Sequence, residues 1–231
     1  MARKQGELRL ADIARAGFQE LTSSRDQLAE VAQCLEVAVE PLLAAFAHAA
    51  DPDAALMRVR LLAEQHPSLI SHLDGPKFDR LCLLLGTSPA LGDFFVRHPE
   101  RLDSILASDG RLIPREEAVA ELLAAVDDDS GEVGWQALRV RYRELLAELM
   151  LFDLSEARHG RAEQAFEGVA LSLSVLAEGA VEASLAVARA SLAAGLSGPA
   201  VSPERLGQCA SRLLPWASVV PKSSTWSPTS T

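Results

Sequence analysis

Proline opens one short apolar segment after another through the middle of this chain. Pro52, Pro67, Pro76, Pro89, Pro99 and Pro114 each stand at or near the start of a run rich in Leu, Ile, Val or Phe. Proline has no backbone N–H and a φ already near the helical value. It therefore suits the first turn of a helix, where donors have no partner anyway, and is costly deeper in. The segments 51–66, 67–73, 76–85, 88–97, 99–107 and 114–126 are accordingly predicted to be helices, with acids at the positive end of the dipole at Asp51 and Asp53.

Longer runs flank this stretch. Ser23 with Asp26 resembles a capping box. The helix it would start runs to about Ala50, with Leu28, Val31, Leu35, Val39, Leu42, Leu43 and Phe46 on one stripe. Pro41 lies inside it and either kinks the helix or splits it. Residues 135–154 form a strong helix with Leu138, Tyr142, Leu145, Leu146, Leu149 and Phe152 inward and Arg139, Arg141, Arg143 and Glu144 largely outward. Residues 163–194 form the longest, with Val169, Leu173, Leu176, Val181, Leu185 and Leu192 as its apolar face and small residues elsewhere that let neighbours approach. Period-two alternation is absent before Pro203, so no strand is expected. The fold class is all-α. Three parts are expected: a polar segment 1–22, a helical domain 23–204, and an irregular tail 205–231 that lacks Asp and Glu.

Composition narrows function mainly by exclusion. Of 231 residues 48% are hydrophobic but only 5% aromatic, which suits a core of Leu, Ala and Val between packed helices. A net charge of -10 without a basic stripe argues against nucleic acid and anionic membranes. No uncharged apolar stretch reaches the roughly 20 residues of a span. The nearest, 168–196, carries Glu178, Glu182 and Arg189 and reads as an amphipathic helix. No signal peptide is visible, and a cytoplasmic location is expected. Cys34, Cys82 and Cys209 have no pairing or zinc spacing and read as buried free thiols.

No constellation carries chemistry. His48, His66, His72, His98 and His159 have no second ligand at metal spacing; His98, before Pro99, sits at a helix end where an imidazole can bond the last carbonyls. Gly86-Thr87-Ser88-Pro89 lacks the lysine of a phosphate loop and reads as a turn with Ser88 as N-cap. Asp127-Asp128-Asp129 lacks calcium-loop spacing and reads as a solvated turn. Arg139, Arg141 and Arg143 read as a solvated face paired with Glu144 and Glu148. No catalytic, cofactor-binding or metal-binding residue is assigned in this chain.

The stretch Leu85-Gly86-Thr87-Ser88-Pro89-Ala90-Leu91-Gly92-Asp93-Phe94-Phe95-Val96-Arg97-His98-Pro99-Glu100 resembles the LGxSxxLxDxLxRHPE pattern of bacterial glutamine synthetase adenylyltransferase/adenylyl-removing enzymes, also called glutamate–ammonia-ligase adenylyltransferases. Residues 51–67, 138–154 and 169–190 are similar to flanking helices of that family in the same order, with a departure at Ala147-Glu148-Leu149-Met150. The resemblance implies an N-terminal helical part preceding a nucleotidyltransferase domain, whose Asp-x-Asp motif holds catalytic metals. That motif is missing here. It also implies Mg2+ and ATP for the intact enzyme, and glutamine synthetase and a nitrogen-signalling regulatory protein as partners. The expectation for this chain is a truncated, inactive fragment. A shifted reading frame offers a cause: codons permitted by Lys222–Thr231, read two bases on, spell Glu-Leu-Asn-Leu-Glu-Ser-Asp-Val-Asp. The alternative expectation is a helical interaction module without enzymatic history, using its Trp-containing tail for a partner.

Overall fold

The computed structural model describes residues 8–127, 129 and 131–195, so the tail 205–231 lies outside the described residues. Among the described residues there are eleven α-helices, one 3₁₀ turn and no strand. The chain is all-α, as its periodicity implies.

The helices are α1 (Leu10–Arg15), α2 (Leu21–Cys34), α3 (Val39–Phe46), α4 (Pro52–Gln65), α5 (Pro67–Ser71), α6 (Gly75–Thr87), α7 (Pro89–Arg97), α8 (Leu102–Ile105), α9 (Arg115–Val126), α10 (Gly131–Arg158) and α11 (Ala162–Gly195), with the 3₁₀ turn at Pro99–Arg101 ahead of α8. Local chemistry sets the starts. Asp51, Asp74 and Ser88 each accept a backbone N–H three residues on, from Ala54, Lys77 and Leu91, and a proline follows each within the first turn.

Of the two outcomes left open for the run from Ser23 to Ala50, a kink or a split, the structure shows the split. The break falls at residues 35–38, where Glu36 has φ 55, and Pro41 stands in the first turn of α3, where its missing donor costs nothing. The capping box at Ser23 is also corrected. The helix starts at Leu21 behind Glu20, which makes no side-chain cap. Ser24 instead turns inward and donates to Asp53 Oδ1 at 2.5 Å, tying α2 to α4. Packing begins ahead of Ser23, since Ile13, Ala16 and Phe18 are buried.

Two apolar clusters form. The first gathers Leu28, Phe46, Leu56, Leu62, Leu81, Leu84, Leu85, Phe94, Phe95 and Leu102 from α2 to α8. The second gathers Leu122 and Val126 of α9, Leu138, Leu145 and Leu149 of α10, and Val175, Leu176, Ala183 and Val187 of α11. Helix α10 belongs to both: Ala147 and Leu151 lie in the first cluster while Leu145 and Leu149 lie in the second. At 28 residues it is a rod of about 42 Å that carries one core on each flank.

The apolar face predicted for the last helix is corrected. Only Leu176 of that set is fully buried, and Leu173, Val181 and Leu192 are exposed. The buried stripe is instead Ala165, Ser172, Val175, Leu176, Gly179, Ala183 and Val187. Small side chains let the backbones approach, and close approach wins over burial of the largest groups. A Cβ on Gly179 would lie 3.0 Å from Leu122 Cδ1, so α9 and α11 are already in contact there. Ser172 takes a hydrogen bond from Ile113 N at 3.1 Å, and Ser191 one from Gly131 N at 2.8 Å. Helix α11 is long and apolar enough to cross a membrane by length and composition. One side of it nevertheless packs on α9 and α10 with its polar groups hydrogen-bonded inward, while Phe166, Leu171, Leu173, Val181 and Leu192 face outward.

Candidate functional site

The stretch that carries the family resemblance is built around a residue that lies 27 positions before its first one. Arg58, on α4, lies inside an apolar run, and its side chain is only 7% exposed. Its Nη1 donates to Leu85 O at 3.0 Å. That carbonyl would ordinarily receive the N–H of residue 89, which is a proline and has none. Arg58 supplies the missing donor. Its Nε and Nη2 both reach Asp93 Oδ1, at 2.9 and 2.8 Å, which docks α7 on α4. Gly92 makes room for this: a Cβ there would sit 2.7 Å from Arg58 Nε. Gly86 is as crowded, with Ala49 Cβ 2.6 Å from where a side chain would begin, and its carbonyl accepts from Asp51 N at 3.0 Å. Ser88 caps α7, while Leu91 and Phe95 are buried. Most of the signature thus serves one latch between α4, α6 and α7.

A ladder of charges crosses the seam between the two cores. Arg101 Nη1 lies 3.1 Å from Glu144 Oε1, and Arg141 Nη1 is 2.7 Å from Glu144 Oε2. Arg141 also pairs with Glu121, and Arg111 bridges Glu117 and Glu148, both at 2.7 Å. Glu144, expected to face outward, is buried at 5% exposure. Two guanidiniums and the seam geometry keep its charge compensated. Glu148 pairs with Arg111 rather than with the 139–143 cluster. Of that cluster Arg139 holds Glu132 at 2.7 Å on the surface, and Arg143 lies over the Phe94 ring at 5.4 Å. An open cleft of about 650 Å3 beside the ladder is walled by Val133, Ala137, Val140, Arg101 and Arg141, whose charges are already paired.

The histidines do not converge. His72 and His159 bond the carbonyls of Ser68 and Ser155 at their own helix ends. His98, expected to do the same with its ring, instead stacks on Phe94 at 4.7 Å and approaches Glu100 Oε1 at 3.4 Å. His66 stands between α4 and α5, and His48 meets Arg158. Asp127 closes α9 at φ 39, and Asp129 is exposed. Cys82 is buried, and burial pushes its thiol well up; Cys34 is exposed, contrary to expectation, because it ends α2 on the solvent side. Cys209 lies outside the described residues. Among the described residues no three His, Cys, Asp or Glu side chains gather to hold an ion. Arg58 escaped sequence reasoning, and so did the burial of Glu144 and its pairing with Arg101, although its pairing with the 139–143 cluster holds through Arg141. The signal for Arg58 was present: an arginine within Leu56–Leu62, and a proline four residues beyond Leu85.

One ion pair carries a pH dependence. Arg115 on α9 binds Glu178 on α11, and this hydrogen bond, with the guanidinium charge, holds the Glu178 carboxyl below its ordinary 4.5. A carboxyl depressed in the folded state contributes stability above its unfolded pKa and loses it as pH falls through the folded value. The stability gap between the native chain and Arg115→Gln, measured by urea unfolding, is expected to be present at about pH 7 and to shrink as pH falls below the ordinary carboxylate range and protonates Glu178 in the folded state. A gap unchanged across that range would show that the pair contributes nothing through charge.

The described residues form an all-α fold of two fused cores, with ion pairs such as Arg58–Asp93, Arg111–Glu148 and Arg101–Glu144 docking one element on another. The comparisons place the chain further. It is 41% identical over 212 residues to the bifunctional glutamine synthetase adenylyltransferase/adenylyl-removing enzyme of Leifsonia xyli subsp. xyli, across 88% of this chain and 20% of that protein. It is 33% identical over 187 residues to the protein of that description in Mycobacterium avium, covering 78% of this chain and 19% of the relative. With that of Bifidobacterium longum subsp. infantis it shares 32% over 204 residues, 77% of this chain and 18% of the relative. By sequence the chain belongs to the glutamine synthetase adenylyltransferase/adenylyl-removing family, as a part-length member. It spans about a fifth of the length of the curated relatives it matches. No protein-family model and no solved structure matches it.

Proposed function

We propose that this chain is a helical scaffold from an enzyme that attaches AMP to glutamine synthetase and removes it, and that it supplies no catalytic group itself. Its relatives bear that bifunctional description as whole proteins, of which the match spans about a fifth. The observation that carries the scaffold reading is the outer side of α11. Phe166 is 73% exposed, Leu171 64% and Leu192 52%, on the helix that by resemblance leads into a nucleotidyltransferase domain. An apolar edge of this extent marks a surface built to be covered. Mg2+ and ATP belong, on this reading, to that further domain, and the setting is the cytoplasm under a nitrogen-signalling regulator. Residues 205–231 are, in the same reading, the product of a shifted frame. A transcript whose codons forbid the alternative peptide between Leu206 and Thr231 removes that element alone.

The experiment uses the purified 231-residue chain with glutamine synthetase, ATP and Mg2+. No AMP transfer is expected in either direction. Adding the Leifsonia xyli relative without its matched fifth is expected to restore transfer. Phe166→Ser with Leu173→Ser should weaken that restoration at least tenfold and leave the thermal midpoint unchanged, because both side chains are exposed in this chain. Transfer by the chain alone overturns the reading.

A further inference from the structure

A second cleft, about 260 Å3, opens where α6, the loop after α8 and the C-terminal end of α10 meet. Arg80, Asp109, Ser155, Arg158 and His159 are among its walls. Arg80 is committed: Nε donates to Leu106 O and Nη1 to Asp109 Oδ1, each at 2.9 Å. That pairing neutralises the one acid in the cleft. Glu156, next along α10, is held by Arg161. Arg158 forms no ion pair with a carboxylate among the described residues, and its Nη2 lies 3.2 Å from Nδ1 of His48. His159 donates its Nδ1–H to Ser155 O at 2.7 Å, so in the neutral ring Nε2 faces outward as a hydrogen-bond acceptor. In a chain of net charge -10, one guanidinium, that of Arg158, is left in excess here, and it leans on an imidazole.

We propose that this cleft binds a small oxyanion of double negative charge that keeps one O–H, as hydrogen phosphate does: Arg158 and the Ser155 hydroxyl hold its charged oxygens, and its O–H donates to Nε2 of His159. Charge-assisted hydrogen bonds to such an ion would replace a weak Arg–His contact. The carbonyl end of α10 opposes an anion. Its last acceptors are already engaged, because the N–H groups of His159, Gly160 and Arg161 bond Ser155, Ala157 and Glu156, and this mutes the field. The volume suits a tetrahedral ion with its water and falls short of the roughly 300 Å3 at which pockets for larger ligands begin.

The full chain is titrated with inorganic phosphate by calorimetry, with chloride at matched ionic strength as control and AMP as a second ligand. Saturable phosphate binding is expected, at least tenfold weaker in Arg158→Gln and in His159→Gln. Both side chains are exposed, so both variants should melt where the native chain does without phosphate. Heat no greater than the chloride control overturns the site, as do variants that bind phosphate unchanged. AMP binding tighter than phosphate would make the ligand a nucleotide and overturn the assignment to a free ion.

Discussion

Replacing Gly110 by alanine is expected to cost about 3 kcal/mol of stability, the sum of a left-handed backbone and a steric collision. Gly110 has φ +80, and an added Cβ would lie 2.0 Å from Glu148 O and 2.4 Å from Phe152 N. These are backbone atoms of α10, which cannot swing aside as a side chain would. The loop after α8 must therefore lift off α10 at the point where the chain passes from the first core to the second. Gly160 supplies the control. Its φ is +71, yet nothing lies within 4 Å of its missing Cβ. Gly160→Ala should cost only the conformational part, about 1 kcal/mol. Urea unfolding of both variants checks the pair. Equal losses would show that contact with α10 is not what demands glycine at 110.

Arg58→Ala is expected to destabilise by about 3 kcal/mol, since it strips a buried carbonyl of its donor and leaves a gap under α7. Leu85 O then has neither Arg58 nor a Pro89 N–H to bond. Asp93→Asn should cost less, about 1 kcal/mol. The Asp93 side chain is 59% exposed, so solvent screens most of the charge interaction, and the amide oxygen still accepts. The ordering separates two accounts of the latch. If Asp93→Asn proved as damaging as Arg58→Ala, the ion pair and not the carbonyl would be the source of stability. Arg58→Lys should fall between them, because an ammonium reaches one partner where the planar fork reaches both.

What could be read from the sequence followed from rules that act within a few residues. The starts of α4 and α7 were legible because Asp51 and Ser88 stand directly before a proline, and that of α6 because Pro76 falls in its first turn. The all-α class followed from periodicity, and Ser88 as the N-cap of α7 from its place before Pro89, although the turn expected at 86–89 shrinks to Ser88 alone because α6 runs on to Thr87. What failed depended on distant partners. Whether Ser24 or Ser23 mattered was decided by Asp53 on another helix. Which side of α11 is buried was decided by where small residues meet α9 and α10, and a stripe of large apolar residues misreports that. Glu144 looked like a surface acid because its two arginines come from different elements, one of them more than forty residues away. The role of the Leu85–Glu100 signature was hidden for the same reason: its key, Arg58, is not in it.

The double membership of α10 limits how this region can change over time. A rod with Leu145 and Leu149 on one flank and Ala147 and Leu151 on the other cannot be assigned to either half. Inserting, exchanging or deleting one half would strip an apolar flank from the remainder. Descendants are therefore constrained to inherit both halves as a unit, with novelty confined to loops and to outward faces such as that of α11.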